Sequence, residues 1–198
     1  MKLSLISSDL ILQGEHLHLG CADECYFTDV YECTAYQSQI QKLIFSLKRC
    51  ERAAITETAR GLLSVLPRAW VESYAFVPMP RSSRKKNGLS LVLQRMALPD
   101  YRNLLFNIQT TPASHLGWRP SPVQRAEFLA LNESLVDPAP DTVVVVDDVV
   151  TTGAHFRAAK LVLRRRWPNL KVLGLFLART CSACSCSPNR FGLCKYLN

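Results

Sequence analysis

Residues 143–146 are four consecutive valines, with no polar position between them. A strand with that pattern is buried on both faces, as in a parallel sheet covered by helices. A second apolar run, VLGLFLA, spans residues 172–178. Between the two, Phe156, Ala159, Leu163 and Trp167 recur at helical spacing, so strand, helix and strand read as one right-handed crossover unit. Upstream, Ile40, Leu43, Ile44 and Leu47 share one helical face, with Lys42, Lys48 and Arg49 outside it. A second helix turns Ile55, Ala59, Leu62, Leu63 and Leu66 inward, with Thr56 as its candidate cap and Pro67 as its stop.

Residues 74–77 predict a short strand ending in Pro78-Met79-Pro80, and Leu89, Val92, Leu93 and Met96 open the helix that follows. Residues 104–108 can supply a further strand, and residues 123–131 a helix that leads to the Pro138-Ala139-Pro140 linker. The first 35 residues break into short strand-like pieces at 3–6 and 10–12, a turn at Gln13-Gly14, and Leu17 and Leu19 alternating with His16 and His18. They predict a small antiparallel cap, with both histidines exposed. The fold class expected is α/β: a parallel sheet flanked by helices, with a small N-terminal β cap and a Cys-rich C-terminal tail. The boundaries expected are 1–35, 36–180 and 181–198.

Length and composition narrow this picture. At 198 residues the chain holds one full core, and 48% hydrophobic with 20% charged residues describes a soluble globular protein. No apolar run approaches the roughly 20 residues that span a bilayer. The N-terminus has one lysine and a broken apolar stretch, a poor secretory signal, so a cytoplasmic protein is expected. The net charge of +8 suits nucleic acid or a polyanionic small substrate. The eight cysteines fall mainly into two groups: Cys21, Cys25 and Cys33, then Cys181, Cys184, Cys186 and Cys194. In a reducing compartment these are thiols or metal ligands rather than a disulfide framework.

The chemistry gathers where the valine strand ends. Asp147 and Asp148 follow it, then Thr151, Thr152 and Gly153, and a helix begins at Ala154 and His155. A strand, a hydroxyl-bearing turn and a helix N-terminus cradle a phosphate with backbone N–H groups and the positive end of the helix dipole. The carboxylates would repel that phosphate, but they accept hydrogen bonds from sugar hydroxyls and assist a divalent metal. The two together suit a ribose 5-phosphate. A second strand–loop–helix unit carries Arg81, Ser82, Ser83, Arg84, Lys85 and Lys86, four cations in six residues. Residues 110–124 hold three prolines and a glycine without periodicity, and read as a hood loop in which His115, Trp118, Arg119 and Arg125 could close on a ligand.

Residues 147–154 resemble the PRPP loop of type I phosphoribosyltransferases: two acidic residues, two variable positions, then Thr-Thr-Gly. His155 stands where that family usually carries a further phosphate-binding hydroxyl. The basic loop at 81–86 is similar in place and chemistry to the family's pyrophosphate loop, and the hood loop to its flexible closing loop. The resemblance covers about residues 70–180. Within the family the chain most closely resembles the competence-associated members known as predicted amidophosphoribosyltransferases, which share the N-terminal cysteines, the Leu47-Lys48 pair and the Val77-Pro78-x-Pro80 strand end. It differs from them at 87–91, Asn-Gly-Leu-Ser-Leu, in place of an Arg-Gly-aromatic-Asn-Gln run.

The resemblance implies transfer of ribose 5-phosphate from PRPP with Mg²⁺ to a base or amine, with release of pyrophosphate. Asp147 and Asp148 would hold the ribose hydroxyls, and Thr151, Thr152, Gly153, Ala154 and His155 the 5-phosphate. Arg81, Ser82, Arg84 and Lys85 would neutralise the pyrophosphate. No residue stands out as a general base, and no glutamine-hydrolysing segment is read. The partners expected are PRPP and the acceptor, with no membrane; nucleic acid and a second copy of the chain are left open.

Two other classes remain open. One is a PRPP-sensing or nucleic-acid-associated protein without turnover, favoured by the charge and by Arg164, Arg165 and Arg166. The other is a noncatalytic protein whose tail docks a partner. That tail offers Cys181, Cys184, Cys186 and Cys194 as a zinc site, although Cys-x-x-Cys-x-Cys with one distant partner is an imperfect spacing and packed free thiols are the other reading. A zinc tail predicts about one equivalent of metal per chain on elemental analysis of purified protein. Metal-free protein with an undisturbed melting curve would remove the idea.

Overall fold

A computed structural model describes residues 1–6, 17–20, 22–31, 38–81, 86–99, 101–109, 120–135 and 137–180. The strands among them are β1 (Ser4–Leu5), β2 (Cys25–Phe27), β3 (Val30–Tyr31), β4 (Ala75–Pro78), β5 (Leu105–Asn107), β6 (Leu129–Leu131), β7 (Thr142–Val150) and β8 (Lys171–Thr180). The helices are α1 (Gln39–Lys48), α2 (Arg52–Val65), α3 (Arg68–Ser73), α4 (Gly88–Arg95), α5 (Pro122–Ala126) and α6 (Ala154–Arg166). The main sheet has the order β1-β2-β8-β7-β4, and β3 also pairs with β8. The pairs β2–β8, β3–β8, β8–β7 and β7–β4 are parallel, and β1 is antiparallel to β2. The protein is thus mixed α/β, with a mostly parallel central sheet flanked by helices.

The four valines are fully buried at the centre of β7, and strand alternation divides them between two cores. Val143 and Val145 pack with Phe156, Ala159 and Leu163 of α6. Val144 and Val146 face the other way, toward α1, α2 and α4, where Ile44, Leu62 and Val92 are fully buried. α1 starts on a reciprocal capping box between Ser38 and Gln41, and α4 on the Asn87 side chain.

Several boundaries differ from the sequence expectation. β7 runs on through Val150, so both aspartates belong to the strand rather than follow it. α2 begins at Arg52, one turn before Thr56, with Glu51 at its N-cap. Leu63 is 44% exposed, because the buried stripe of α2 runs through Ala54, Thr58, Leu62 and Leu66 and leaves it on the flank. The helix expected over 123–131 stops at Ala126, and Leu129–Leu131 instead pairs antiparallel with β5 in a separate two-stranded sheet. Backbone pairing with a distant strand overrides the local helical pattern there.

The N-terminal segment is antiparallel only where β1 meets β2. β2 and β3 join the main sheet alongside β8, with Cys25 opposite Gly174 and Tyr31 opposite Thr180. Leu17 and Leu19 lie on a turn and its exit rather than on a strand, Leu17 71% exposed and Leu19 buried. Residues 10–14 and His16 lie outside the described residues.

A buried ion cluster fastens this segment to α6. The side chain of Asp23 is fully enclosed; it accepts from Lys160 Nζ at 2.5 Å, from Arg157 Nη1 at 2.8 Å and from the Gly20 N–H at 2.8 Å. Burial pushes this carboxyl up, but the Gly20 amide and the two cations outweigh it and hold the group below its ordinary value. Asp23→Asn leaves the buried Lys160 uncompensated and should cost about 3–5 kcal/mol in chemical denaturation at neutral pH. Because the folded pKa is depressed, this contribution is present above the ordinary value of 3.8 and is lost as pH falls through the folded value. The gap between wild type and Asp23→Asn should therefore close in acid.

Candidate functional site

β4 and β7 are neighbours, with Pro78 opposite Val146, and the Met79 N–H donates to the Val146 carbonyl at 2.8 Å. The segment leading to the basic loop and the segment leading to the acidic turn therefore leave the sheet side by side, at the carboxyl ends of parallel strands. Ligands of open α/β sheets bind in such crevices.

Alternation sends the two adjacent aspartates to opposite faces of the sheet. Asp147 continues the α6 face. Its Oδ1 accepts from the Asp148 N–H at 2.9 Å, and its Oδ2 lies 3.1 Å from His155 Nδ1. The guanidinium of Arg125, on α5, also acts on it: burial lowers the basicity of Arg125, and the charge of Asp147 works against that. Asp148 faces α1. Its Oδ1 accepts from the Val149 N–H at 2.8 Å, and its Oδ2 pairs with Lys48 Nζ at 3.1 Å. Burial raises the pKa of Asp148; Lys48 opposes the rise and the charge on Asp147 adds to it. Tyr31 shares this pocket: burial, and after it the charge of Asp148, push its hydroxyl up to about 12, against a hydrogen bond with Gln41.

The turn between β7 and α6 has the geometry of a helix-start cradle. Gly153 is the N-cap of α6, with φ of 80°, in the left-handed region that glycine enters at little cost. The Ala154 N–H donates a long bond, 3.4 Å, to Thr152 Oγ1. The N-terminal segment closes over the outer side of the turn. His18 N–H donates to the Thr152 carbonyl at 3.0 Å, and a Cβ placed on Gly153 would come within 2.5 Å of Leu19 Cγ.

Both ends of the basic loop are pinned. Arg81 Nη1 donates to the carbonyls of Lys48 and Lys86, each at 2.9 Å, and Asn107 Nδ2 holds the Arg81 carbonyl at 2.6 Å. Asn87 Nδ2 reaches back to the Met79 carbonyl at 2.8 Å while its Oδ1 caps α4. Gly88 lies directly against the Leu47 carbonyl, where a Cβ has no room. Arg81 is thereby engaged with the C-terminal end of α1.

The structure thus brings together Asp147, Asp148, the 151–155 turn, Arg81 and Arg125. Ser82, Arg84, Lys85 and Arg119 lie outside the described residues, as do Cys181, Cys184, Cys186 and Cys194. Among the described residues no group of three or more His, Cys, Asp or Glu side chains could hold a metal ion, and no helix is long and apolar enough to cross a membrane. His155, expected at the phosphate, has its Nδ1 on Asp147, so Nε2 is the ring nitrogen a ligand can meet. Lys48 and Tyr31 are the site residues that sequence reasoning missed. Lys48 was noted as the polar end of an apolar helix and in the Leu47-Lys48 pair of the family resemblance, without a role at the site, and Tyr31 carried no signal at all. No protein-family model matches the chain, and no curated protein matches it.

The elevated Asp148 predicts a stability test. Because its folded pKa lies above the ordinary value of 3.8, its stabilising contribution is complete below that value and is lost as pH rises through the folded pKa. Asp148→Asn removes the charge that burial disfavours, and gives up only a partly exposed pair with Lys48. The variant should melt at least as high as wild type at pH 7, with its relative advantage shrinking toward acid. A lower melting temperature at pH 7 would contradict the reading that burial of the Asp148 charge disfavours the folded state.

Proposed function

We propose that the protein binds PRPP with Mg²⁺ and transfers its ribose 5-phosphate to a base or amine, as type I phosphoribosyltransferases do. The observation that carries this reading is the pairing of two strand ends. One presents two carboxylates and a Gly153 turn at a helix N-terminus, and its neighbour leads into a four-cation loop. A sugar bearing phosphate at one end and diphosphate at the other matches that layout.

In the reaction, the C1–N bond forms as the C1–O bond to diphosphate breaks. The bonding electron pair leaves with pyrophosphate, and the acceptor nitrogen gives up its proton to solvent. Positive charge develops on the ribose ring and negative charge on the leaving group, so positioning and electrostatics do most of the work. Asp147 and Asp148 hold the ribose hydroxyls and favour the cationic ring. The 151–155 turn holds the 5-phosphate, and the basic loop receives the pyrophosphate. Each carboxylate keeps one oxygen on a backbone amide and the other beside a side-chain cation or the His155 ring. That donor set suits magnesium carried in on the diphosphate and met through water.

Calorimetry with Mg²⁺ and PRPP tests the reading. The D147N/D148N double variant should stay folded and lose PRPP affinity, and unchanged affinity would sink the assignment. Pyrophosphate release measured over a panel of bases and amines separates enzyme from sensor. Binding without release, together with salt-dependent binding to DNA, would favour the noncatalytic reading.

A further inference from the structure

We infer that Lys48 is a diphosphate-binding residue that exchanges between Asp148 and the leaving group of the ligand. The inference rests on the proposed sugar-diphosphate site and adds to it a cation from outside the two loops. Lys48 is the last residue of α1, and its main chain and side chain engage different parts of the site. Its carbonyl accepts from Arg81, the first residue of the basic loop, at 2.9 Å. Its Nζ reaches Asp148 on β7 at 3.1 Å. The same Arg81 nitrogen holds the Lys86 carbonyl at the far end of the loop, and Cys50 Sγ, two residues beyond Lys48, approaches that carbonyl at 3.5 Å. Gly88 presses the start of α4 against the Leu47 carbonyl. These contacts fix the end of α1 between the root of the cationic loop and the acidic strand end.

Charge gives the direction of the exchange. Lys48 is 35% exposed and Asp148 25%, and an ion pair in contact with water is weak. A diphosphate offers more negative charge and more acceptor oxygens than one carboxylate, and a lysine on a four-carbon stem can turn to it without moving the helix. Release of Lys48 frees the second Asp148 oxygen to accept a ribose hydroxyl. Ligand entry therefore neutralises the diphosphate and opens the sugar site in one movement.

The test compares wild type, Lys48→Met and Lys48→Arg by calorimetry against two probes, PRPP with Mg²⁺ and ribose 5-phosphate, which lacks the diphosphate. Lys48→Met should weaken PRPP binding by about tenfold to a hundredfold, the loss of one charged hydrogen bond. It should leave ribose 5-phosphate within about twofold of wild type, or tighter, because Asp148 is already free. Lys48→Arg keeps the charge and should retain most of the PRPP affinity. Equal losses for both probes would show that Lys48 only supports Asp148, and unchanged PRPP binding by Lys48→Met would remove its role; either result overturns the inference while leaving the site assignment standing. Wild type that binds neither probe overturns the proposed function and the role of Lys48 with it.

Discussion

Everything at the site follows from the burial of β7 on both faces. After Thr142 at its start, four valines with no exposed surface leave that strand no polar position until Asp147, so its carboxylates lie toward its carboxyl end. Period-two alternation then applies to the acids as it did to the valines. Asp147 goes to the layer of α6 and α5, where His155 and Arg125 wait; Asp148 goes to the layer of α1, where Lys48 and Tyr31 wait. Two neighbouring carboxylates thus have separate electrostatic environments, because each sees a different core.

The consequence is a site assembled from both layers. α1 enters it through Lys48, although α1 lies far upstream of the strands that bear the loops. α6 enters it through its first turn, and its position is set in part by Asp23, whose carboxylate joins the N-terminal segment to Arg157 and Lys160. A buried charge cluster of this kind is a poor source of net stability compared with an apolar core, but it fixes one register between the groups it joins. Here the register fixed is that of the helix whose N-terminus faces the crevice.

Much of this architecture was legible in the sequence. Four valines, a hydroxyl-glycine turn and a helical stripe leave little freedom for β7 and α6. The apolar faces of α1 and α4 read equally directly, since Ile44, Leu47, Val92 and Leu93 are buried as their spacing requires. What was not legible depends on distant partners. Residues 129–131 look helical alone and become a strand because β5 is present to pair with them. β2 and β3 look like a separate cap and become sheet because β8 offers a free edge. The opposite facing of Asp147 and Asp148 was available from period-two alternation, yet the pair reads as one acidic unit until its neighbours are known. Tyr31 carries no motif and Lys48 only a Leu-Lys pair without an assigned role, and both meet the site through where their elements dock.

Leu19 fills the space over Gly153 that any side chain there would need, and the neighbouring His18 amide holds the Thr152 carbonyl. The two positions therefore share one volume, and residue 153 cannot gain a side chain while Leu19 stays in place. Enlarging residue 153 demands a smaller residue at 19, and even then the backbone at 153 keeps its need for a left-handed conformation. Sequence drift in the N-terminal segment is consequently tied to the turn between β7 and α6. Across descendants of this chain, a side chain at 153 should appear only together with a change at residue 19.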